Sequence, residues 1–375
     1  MTKTLLAVDS FHHHNTPTRA QEEYMKNSRI LVSSFVIAAS LVALGAQAQT
    51  RKFVIGVSNG FVGSEWRTQM LDNMQAVNKG YMKAGLTADL VIQSADVDVQ
   101  GQVQQVRNFI SQKVDGIIIN PNSATALNPV FKEAADAGIK VISVDQEVSA
   151  PSVVNVGIDQ REWARNKMEW LAKALGGKGN IVIMNGIAGH PANEARVKGE
   201  QDVLAKYPNI KVLNNANGDW DHAKAQQVMS GIIASQPNID GVFTQDGMGQ
   251  GVLRALIAAK PKKMPIVSGE AYVGYMKLWQ EIQKGNKSFK SYGLPNPPGV
   301  GASGLRVMVS WLSGKAPKDG VLKGEAKNTV FVPIPKAVDN ATLANTYDLL
   351  ENQGKEDTYT MDSILTQAAT DALFK

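Results

Sequence analysis

Short runs of β-branched apolar residues alternate with longer amphipathic stretches along most of this chain. Residues 53–57 and 116–119 are runs of the first kind, and 99–110 carries apolar residues on one face at helical spacing. A continuous apolar run is typical of a strand in a parallel sheet that is covered on both faces. Strict alternation of such strands with helices predicts an α/β fold built on parallel sheets.

The alternation restarts after a break at 149–152, which predicts two doubly wound, Rossmann-like lobes. A chain of 375 residues also exceeds the length that one hydrophobic core usually serves. Strands are expected at 53–57, 90–92, 116–119, 139–144, 153–157, 180–184, 211–214, 241–244 and 265–267. Beyond 270 the pattern is weaker, with strands expected at 290–294 and 329–332 and helices at 272–284, 300–313, 339–352 and 362–374.

The first 48 residues predict an upstream extension followed by a signal peptide. Two basic residues precede an apolar run at 30–45, and 46–48 read Ala-Gln-Ala, an A-x-A cleavage pattern. The run is short and has no basic stop beyond it, which favours cleavage after Ala48 over a membrane anchor. We interpret Met25 as the true start, with the polar stretch 1–24 lying upstream of it. The sequence therefore predicts an exported protein.

Composition excludes several classes of function. The chain has no cysteine, which excludes disulfides, thiol catalysis and thiolate metal sites. A formal net charge of +5, without a dense basic stripe, does not indicate nucleic-acid binding. Beyond Ala48 the histidines are His190 and His222, without metal-binding spacing, and G-x-S-x-G and phosphate-loop motifs are absent. We therefore expect no cofactor, no metal and no catalysis.

Polar and aromatic residues follow several predicted strands, where open parallel sheets bind their ligands. These candidates are Ser64, Trp66, Arg67, Asp145, Gln146, Arg196, Trp220, Asp246 and Glu270. Carboxylates accept hydrogen bonds from hydroxyl groups, and guanidinium groups donate to them. Trp66 and Trp220 lie in different halves, so their indoles are predicted to clamp the two faces of one hydroxyl-rich ring. A sugar acid is disfavoured because three carboxylates would oppose its charge.

Several stretches match one known family in order and spacing. They are Gly56-Val57-Ser58, 114–121, 138–145, 186–189, Arg196 with Gly199, 241–246 and Leu294-Pro295. From Gln49 onward the chain resembles the periplasmic sugar-binding proteins of ABC importers, in the ribose-binding-protein group. The resemblance implies the type I periplasmic binding protein fold, in which a three-stranded hinge joins two Rossmann-like lobes.

In the first lobe and the hinge, the resemblance assigns roles by position. Trp66 matches a stacking aromatic residue, and Arg67 stands where a second aromatic residue often lies. Asp145 matches the carboxylate after the fourth strand, and Gln146 stands where the family often has arginine. Gly293 stands where some members have a hinge glutamine. Asn296 is the candidate to make the contact of that glutamine instead.

In the second lobe, the resemblance assigns the ligand-binding guanidinium to Arg196 and the aromatic wall to Trp220. Asp246 matches a position that is often Asn or Asp. Glu270 stands where Asp is usual, so its carboxylate reaches one methylene further.

The resemblance also implies lobe boundaries and partners. The expected first lobe is 49–157 with 294–331, and the expected second lobe is 158–293 with 332–375. Hinge closure would capture a neutral monosaccharide or polyol in the Gram-negative periplasm, and the closed monomer would deliver it to an inner-membrane ABC permease. A sugar-processing enzyme on the same fold is one alternative, and a protein that presents ligand to a chemoreceptor is another. The signal peptide argues against a transcription regulator of the lactose-repressor class.

Overall fold

The computed structural model describes residues 51–236 and 238–375. The predicted extension, signal peptide and cleavage position lie outside the described residues. Within the described ranges no helix is long and apolar enough to cross a membrane. Strands and helices alternate through these ranges, as the sequence pattern predicts.

The helices and strands fall into three stretches of the chain. The first contains β1 Ile55–Asn59, α1 Glu65–Lys83, β2 Val91–Ser94, α2 Val99–Ser111, β3 Gly116–Asn120, α3 Asn128–Asp136, β4 Lys140–Val144 and β5 Val153–Gly157. The second contains α4 Gln160–Ala174, β6 Lys178–Asn185, α5 Pro191–Leu204, β7 Asn209–Asn217, α6 His222–Ser235, β8 Gly241–Thr244, α7 Met248–Ala259, β9 Ile266–Gly269, α8 Val273–Gly285 and β10 Ser291–Gly293. The third contains α9 Val300–Leu312, β11 Thr329–Phe331, α10 Leu343–Asn352 and α11 Gln367–Ala372.

Two parallel sheets organise the described chain. One is six-stranded in the order β11-β5-β4-β3-β1-β2, and the other is five-stranded in the order β10-β9-β8-β6-β7. Every named strand pair in them is parallel. The three isoleucines of β3 are fully buried, which explains the absence of polar alternation in that strand. The predicted class, two doubly wound α/β lobes, is confirmed.

The strand order of each sheet brings the site-forming loops together. In the first sheet β1 and β4 flank β3, and in the second β8 lies between β9 and β6. The loops that follow β1 and β4 therefore leave the same edge of the first sheet, on either side of β3, and those that follow β8 and β9 leave adjacent strands of the second sheet. That edge is where an open parallel sheet binds its ligands.

The end of the chain differs from the sequence expectation. The expectation placed all of 332–375 on the second lobe, and α10 does pack on α8 there. However, α11 packs on α9 of the first lobe, and Lys318 N donates to Leu373 O at 2.8 Å. Leu365 and Phe374 are buried in a hydrophobic cluster that includes side chains of β1, β4 and β5 in the first sheet. Their apolar side chains bring the final segment back to the first lobe.

Candidate ligand-binding site

Three of the predicted site residues have a left-handed backbone. The φ angle is 65° at Asp145, 58° at Trp220 and 47° at Asp246. This conformation is uncommon for residues other than glycine and is a marked outlier for a side chain as bulky as Trp. Such strained residues cluster at ligand sites, where the surrounding structure holds them in place. Each of the three lies just beyond a strand of one of the two sheets.

Arg196 is the centre of a buried polar network in the second lobe. Its Nη1 donates to Asp246 Oδ2 at 3.0 Å, and its Nε donates to Gln160 Oε1 at 2.8 Å. The guanidinium carbon lies 4.3 Å from the ring centroid of Trp163. Glu270 joins the network by accepting the backbone N–H of Asp246 at Oε1, at 3.0 Å. The structure therefore brings Arg196, Asp246 and Glu270 together in one hydrogen-bonded group.

Asp145 connects the two lobes. Its Oδ1 accepts from Gln160 Nε2 of the second lobe at 2.9 Å and from Asn296 Nδ2 at 3.3 Å. Trp66 Nε1 donates to the backbone oxygen of Asn296 at 2.8 Å. Asn296 therefore lies at the junction of Trp66 and Asp145, beside the expected hinge crossing.

Arg67 is fully buried beside these groups. Its Nη1 donates to Asn59 Oδ1 at 2.8 Å, and its guanidinium carbon lies 5.9 Å from the ring centroid of Phe61. Burial lowers the pKa of Arg67 to about 10, although Asp145 and Asp246 act in the opposite direction. Arg67 therefore remains a cation at neutral pH and faces two carboxylates across the site.

Trp220 forms a wall of the second lobe. Its Nε1 donates to Gln245 Oε1 at 3.1 Å, and its ring meets His190 edge-on, with centroids 5.6 Å apart. A side chain at Gly186 would place its Cβ 2.0 Å from Trp220 Nε1, so only glycine leaves room for the indole there.

Gln146 makes a second connection between the lobes. Its Nε2 lies 3.4 Å from His190 Nδ1, and its Oε1 accepts the backbone N–H of Ala192 at 3.2 Å. A further contact joins His222 Nε2 to Glu65 Oε1 at 3.2 Å. His190 and His222, which the sequence places next to the predicted site segments and predicts to be solvent-facing or capping residues, therefore take part in contacts between the lobes.

Burial dominates the electrostatics of the carboxylates. It raises the pKa of Asp145, against the opposing effects of Arg196 and Arg67. It also raises the pKa of Glu270 well above its usual range, and the nearby charge of Asp246 acts in the same direction. Beneath the site, burial lowers the pKa of Lys167 to about 7 and raises that of Glu200 to about 8. Burial in this site therefore favours the protonated, uncharged form of Glu270.

Four of the predicted site residues keep a buried polar atom without a hydrogen-bond partner within the described ranges. The atoms are Arg196 Nη2, Asp246 Oδ1, Glu270 Oε2 and Asn296 Oδ1. Buried polar groups are normally hydrogen-bonded, because an unpaired one keeps its full desolvation cost. A donor and several acceptors in one region match hydroxyl groups, each of which donates and accepts.

Sequence reasoning assigned Ser64 to the site and missed several residues in it. Ser64 is half-buried before α1, and its side chain makes no capping hydrogen bond. Gln160 and Gln245 were missed, although Gln160 bonds both Asp145 and Arg196. The signal for Gln245 was its place beside Asp246 after a buried strand. Across the described ranges, His, Asp and Glu side chains form no group of three that could hold a metal ion.

Two parallel-sheet lobes with a polar site at their carboxyl edges define a class of solute-binding proteins. The chain belongs to the periplasmic binding protein family, since the family model described as a periplasmic binding protein domain matches residues 55–316. The family resemblance drawn from the sequence is thereby confirmed.

Characterised relatives and solved structures agree with this membership. The chain is 36% identical to the xylitol-binding protein of Mycolicibacterium smegmatis over 73% of this chain and 75% of the relative. It is 28% identical to the galactofuranose-binding protein YtfQ of Escherichia coli over 80% and 93% of the two chains. An ABC transporter solute-binding protein from Thermobispora bispora superimposes with a TM-score of 0.74 at 26% identity, covering 86% of this chain and 94% of that one. A Mycobacterium smegmatis structure in complex with β-D-fucofuranose gives a TM-score of 0.67 at 26% identity, covering 80% and 96%.

Proposed function

We propose that this protein captures a neutral monosaccharide or polyol between its lobes and delivers it to an ABC importer. The observation that carries the proposal is the set of unpartnered buried polar atoms on Arg196, Asp246, Glu270 and Asn296. Relatives named for xylitol and galactofuranose support this ligand class.

Charge favours a neutral ligand. The cations Arg67 and Arg196 are already set against the carboxylates of Asp145 and Asp246, and Arg196 pairs directly with Asp246. A negatively charged ligand would face these carboxylates in a site of low dielectric, where like charges repel strongly. A hydroxyl group can instead accept from Arg196 Nη2 and donate to Asp246 Oδ1 without a net charge of its own.

The proposed mechanism is hinge closure. In this mechanism the first lobe is 51–157 with 294–331, and the second is 158–293 with α10, which packs on α8. The contacts of Asp145 with Gln160 and of Gln146 with His190 join the lobes beside the site. A ligand held from both sides stabilises the closed form, whereas one that touches a single lobe shifts nothing.

Export and delivery complete the proposal. Cleavage after Ala48 would release the protein into the periplasm as a binding protein without catalytic turnover. Expression in a Gram-negative host followed by N-terminal sequencing of the periplasmic fraction tests this step. The expected first residue is Gln49. Retention of residues 1–48 on a cytosolic protein would contradict it.

Ligand binding is tested by thermal-shift and calorimetric titration of residues 49–375. The panel is xylitol, D-ribose, L-arabinose, D-galactose and myo-inositol, with D-galacturonate as the charged control. At least one neutral compound is expected to bind at a 1:1 ratio and to be recovered unchanged by NMR. Binding of D-galacturonate alone would contradict the neutral-ligand proposal, and chemical conversion of the compound would favour an enzyme.

A further inference from the structure

Gln245 is a fully buried amide whose hydrogen-bonding capacity is used on both sides. Its Oε1 accepts from Trp220 Nε1 at 3.1 Å and from Arg196 Nη1 at 3.3 Å. Its Nε2 donates to Asn185 Oδ1 at 2.9 Å and to Glu200 Oε1 at 3.3 Å. One oxygen therefore contacts both the indole and the guanidinium that face the proposed ligand.

The orientation of this amide is fixed by what surrounds it. Reversal would direct its NH2 group toward two donors, Trp220 Nε1 and Arg196 Nη1, and its oxygen toward two acceptors. Each misplaced group would be buried without a partner and would keep its full desolvation cost. Glu200 is itself buried, so it holds the NH2 side of Gln245 without competition from bulk water.

We propose that Gln245 is a positioning residue that sets the spacing between Trp220 and Arg196, and that Glu200 fixes its amide from behind. This inference rests on the proposed function, because it assumes that the indole and the guanidinium contact one ligand. Trp220 depends on this bond in particular, since its backbone is strained at a φ of 58°.

An exchange of functional groups tests the positioning role. Gln245→Glu keeps acceptor oxygens for Trp220 and Arg196 but places a carboxylate against Glu200. Glu200→Gln keeps an amide oxygen that can accept from Gln245 Nε2, and the double variant restores a donor–acceptor pair in reverse. The reversed Asn185 amide can then donate to residue 245, because its partner Asn215 is also an amide.

Affinity is measured by calorimetry with the tightest-binding neutral compound of the panel. We expect Gln245→Glu to lose about tenfold or more in affinity, Glu200→Gln to stay within about threefold of the parent, and the double variant to recover to within about threefold of the parent. A double variant that is at least as weak as the product of the single losses would overturn the proposal, since packing alone predicts no recovery.

A ligand-free measurement separates this inference from the proposed function. In the unliganded protein, ¹H–¹⁵N spectra report hydrogen exchange at the indole N–H of Trp220. We expect slow exchange that becomes at least about tenfold faster in Gln245→Leu. Unchanged exchange would overturn the positioning role even if ligands bind, whereas failure of every panel compound to bind would contradict only the proposed function.

A separate observation concerns the segment 357–365, which contacts both lobes. On the second lobe, Val273 N donates to Tyr359 O and Gly274 N donates to Asp357 O, both at 2.9 Å. On the first lobe, Gln69 Nε2 donates to Thr360 O at 3.0 Å, and Thr360 N donates to Gln69 Oε1 at 3.1 Å.

Two further bonds fix this segment to the first lobe near the hinge. Asp362 Oδ1 accepts the backbone N–H of Gly299 at 2.6 Å, and Leu365 N donates to Ser303 Oγ at 3.0 Å. The segment therefore binds α1 one turn beyond Trp66 and binds α8 three residues beyond Glu270.

We infer that 357–365 is a strap that limits how far the lobes separate, in addition to the expected hinge crossings. Its attachment points at Gln69 and Val273 lie three residues after the site residues Trp66 and Glu270, one in each lobe. Opening that moved α1 away from α8 would have to break one set of these bonds. The strap therefore restricts the open state and reduces the distance the lobes travel on closure.

The absence of native cysteine allows a direct distance measurement. Spin labels at Asp136→Cys and Lys262→Cys, both exposed and on different lobes, report lobe separation by double electron–electron resonance. We expect the double variant Gln69→Leu, Asp362→Ala to broaden the ligand-free distance distribution and to shift it to longer distances. The matched control variant Lys318→Ala is expected to leave the distribution unchanged. Equal distributions in the strap variant and the control would overturn the inference.

Discussion

Arg196 Nη1 lies 3.0 Å from Asp246 Oδ2 in a buried ion pair, yet each partner keeps one polar atom unpaired within the described ranges. Those two atoms, Arg196 Nη2 and Asp246 Oδ1, leave one donor and one acceptor on the two partners of the pair. A hydroxyl group both donates and accepts, so it has the chemistry to satisfy atoms of both kinds. The ion pair balances the charge of these two residues and leaves polar atoms free for the proposed ligand.

Asp246→Ala is expected to weaken binding of the tightest neutral panel compound by about 2–3 kcal/mol. The substitution leaves a ligand hydroxyl unpaired in a buried site and removes the partner of Arg196. Calorimetry measures the loss, with Asp136→Ala as a control because that carboxylate is exposed on α3. Equal affinities for the two variants would remove Asp246 from the site.

Trp220→Ala is expected to weaken binding by at least about 1 kcal/mol beyond the loss of buried area, while unfolding stays cooperative. Trp220→Phe keeps an aromatic face and should retain most of the affinity. Trp311→Ala is the matched control, since that indole packs against Lys140 on the first lobe. Titration calorimetry and thermal melts measure both effects, and full affinity in Trp220→Ala would rule out a stacking role.

Glu270→Gln is expected to keep affinity within about threefold, whereas Glu270→Ala is expected to lose tenfold or more. Burial and the charge of Asp246 raise the pKa of Glu270, which favours its uncharged form, and an uncharged amide resembles that form. Gln also retains an oxygen for the backbone N–H of Asp246. If the Gln variant bound as weakly as the Ala variant, a charged Glu270 would be required instead.

His190 is expected to make stability depend on pH below neutrality. Burial, aided by Arg67, lowers the pKa of His190 from 6.5 to about 4. Between these values the unfolded chain binds a proton that the folded protein does not. This contribution to the free energy of unfolding is therefore present above pH 6.5 and is lost as the pH falls toward 4.

Urea denaturation from pH 7.5 to 4.5 tests this linkage. His190→Gln, which cannot titrate, should show a smaller loss of stability over that interval than the parent protein. Identical pH dependences would show that His190 is not held neutral by its position between Gln146 and Trp220.

The sequence predicted those parts of the fold that follow from local pattern. The continuous apolar run that forms β3 and the strand ends that carry Asp145, Asp246 and Glu270 were all readable, because side-chain periodicity and parallel-sheet geometry determine them. The residues that connect the site through hydrogen bonds could not be predicted from the sequence. Gln160 and Gln245 act through tertiary hydrogen bonds, which no local pattern reports.

The path of the last residues was also beyond local pattern. Both α10 and α11 are short amphipathic segments, and nothing in their sequence states which lobe they cover. The packing of α11 on α9 and the hydrogen bond from Lys318 N to Leu373 O decide this for α11. Contacts between distant parts of the chain thus account for both the missed site residues and the incorrect placement of the tail.

A crystal structure of residues 49–375 with the tightest-binding neutral panel compound tests the central claim most directly. We expect that compound between the lobes, with hydroxyl groups within hydrogen-bonding distance of Arg196 Nη2 and Asp246 Oδ1 and the Trp66 and Trp220 indoles on its two sides. A compound bound outside the interlobe region, or indoles that line separate cavities, would contradict the proposal.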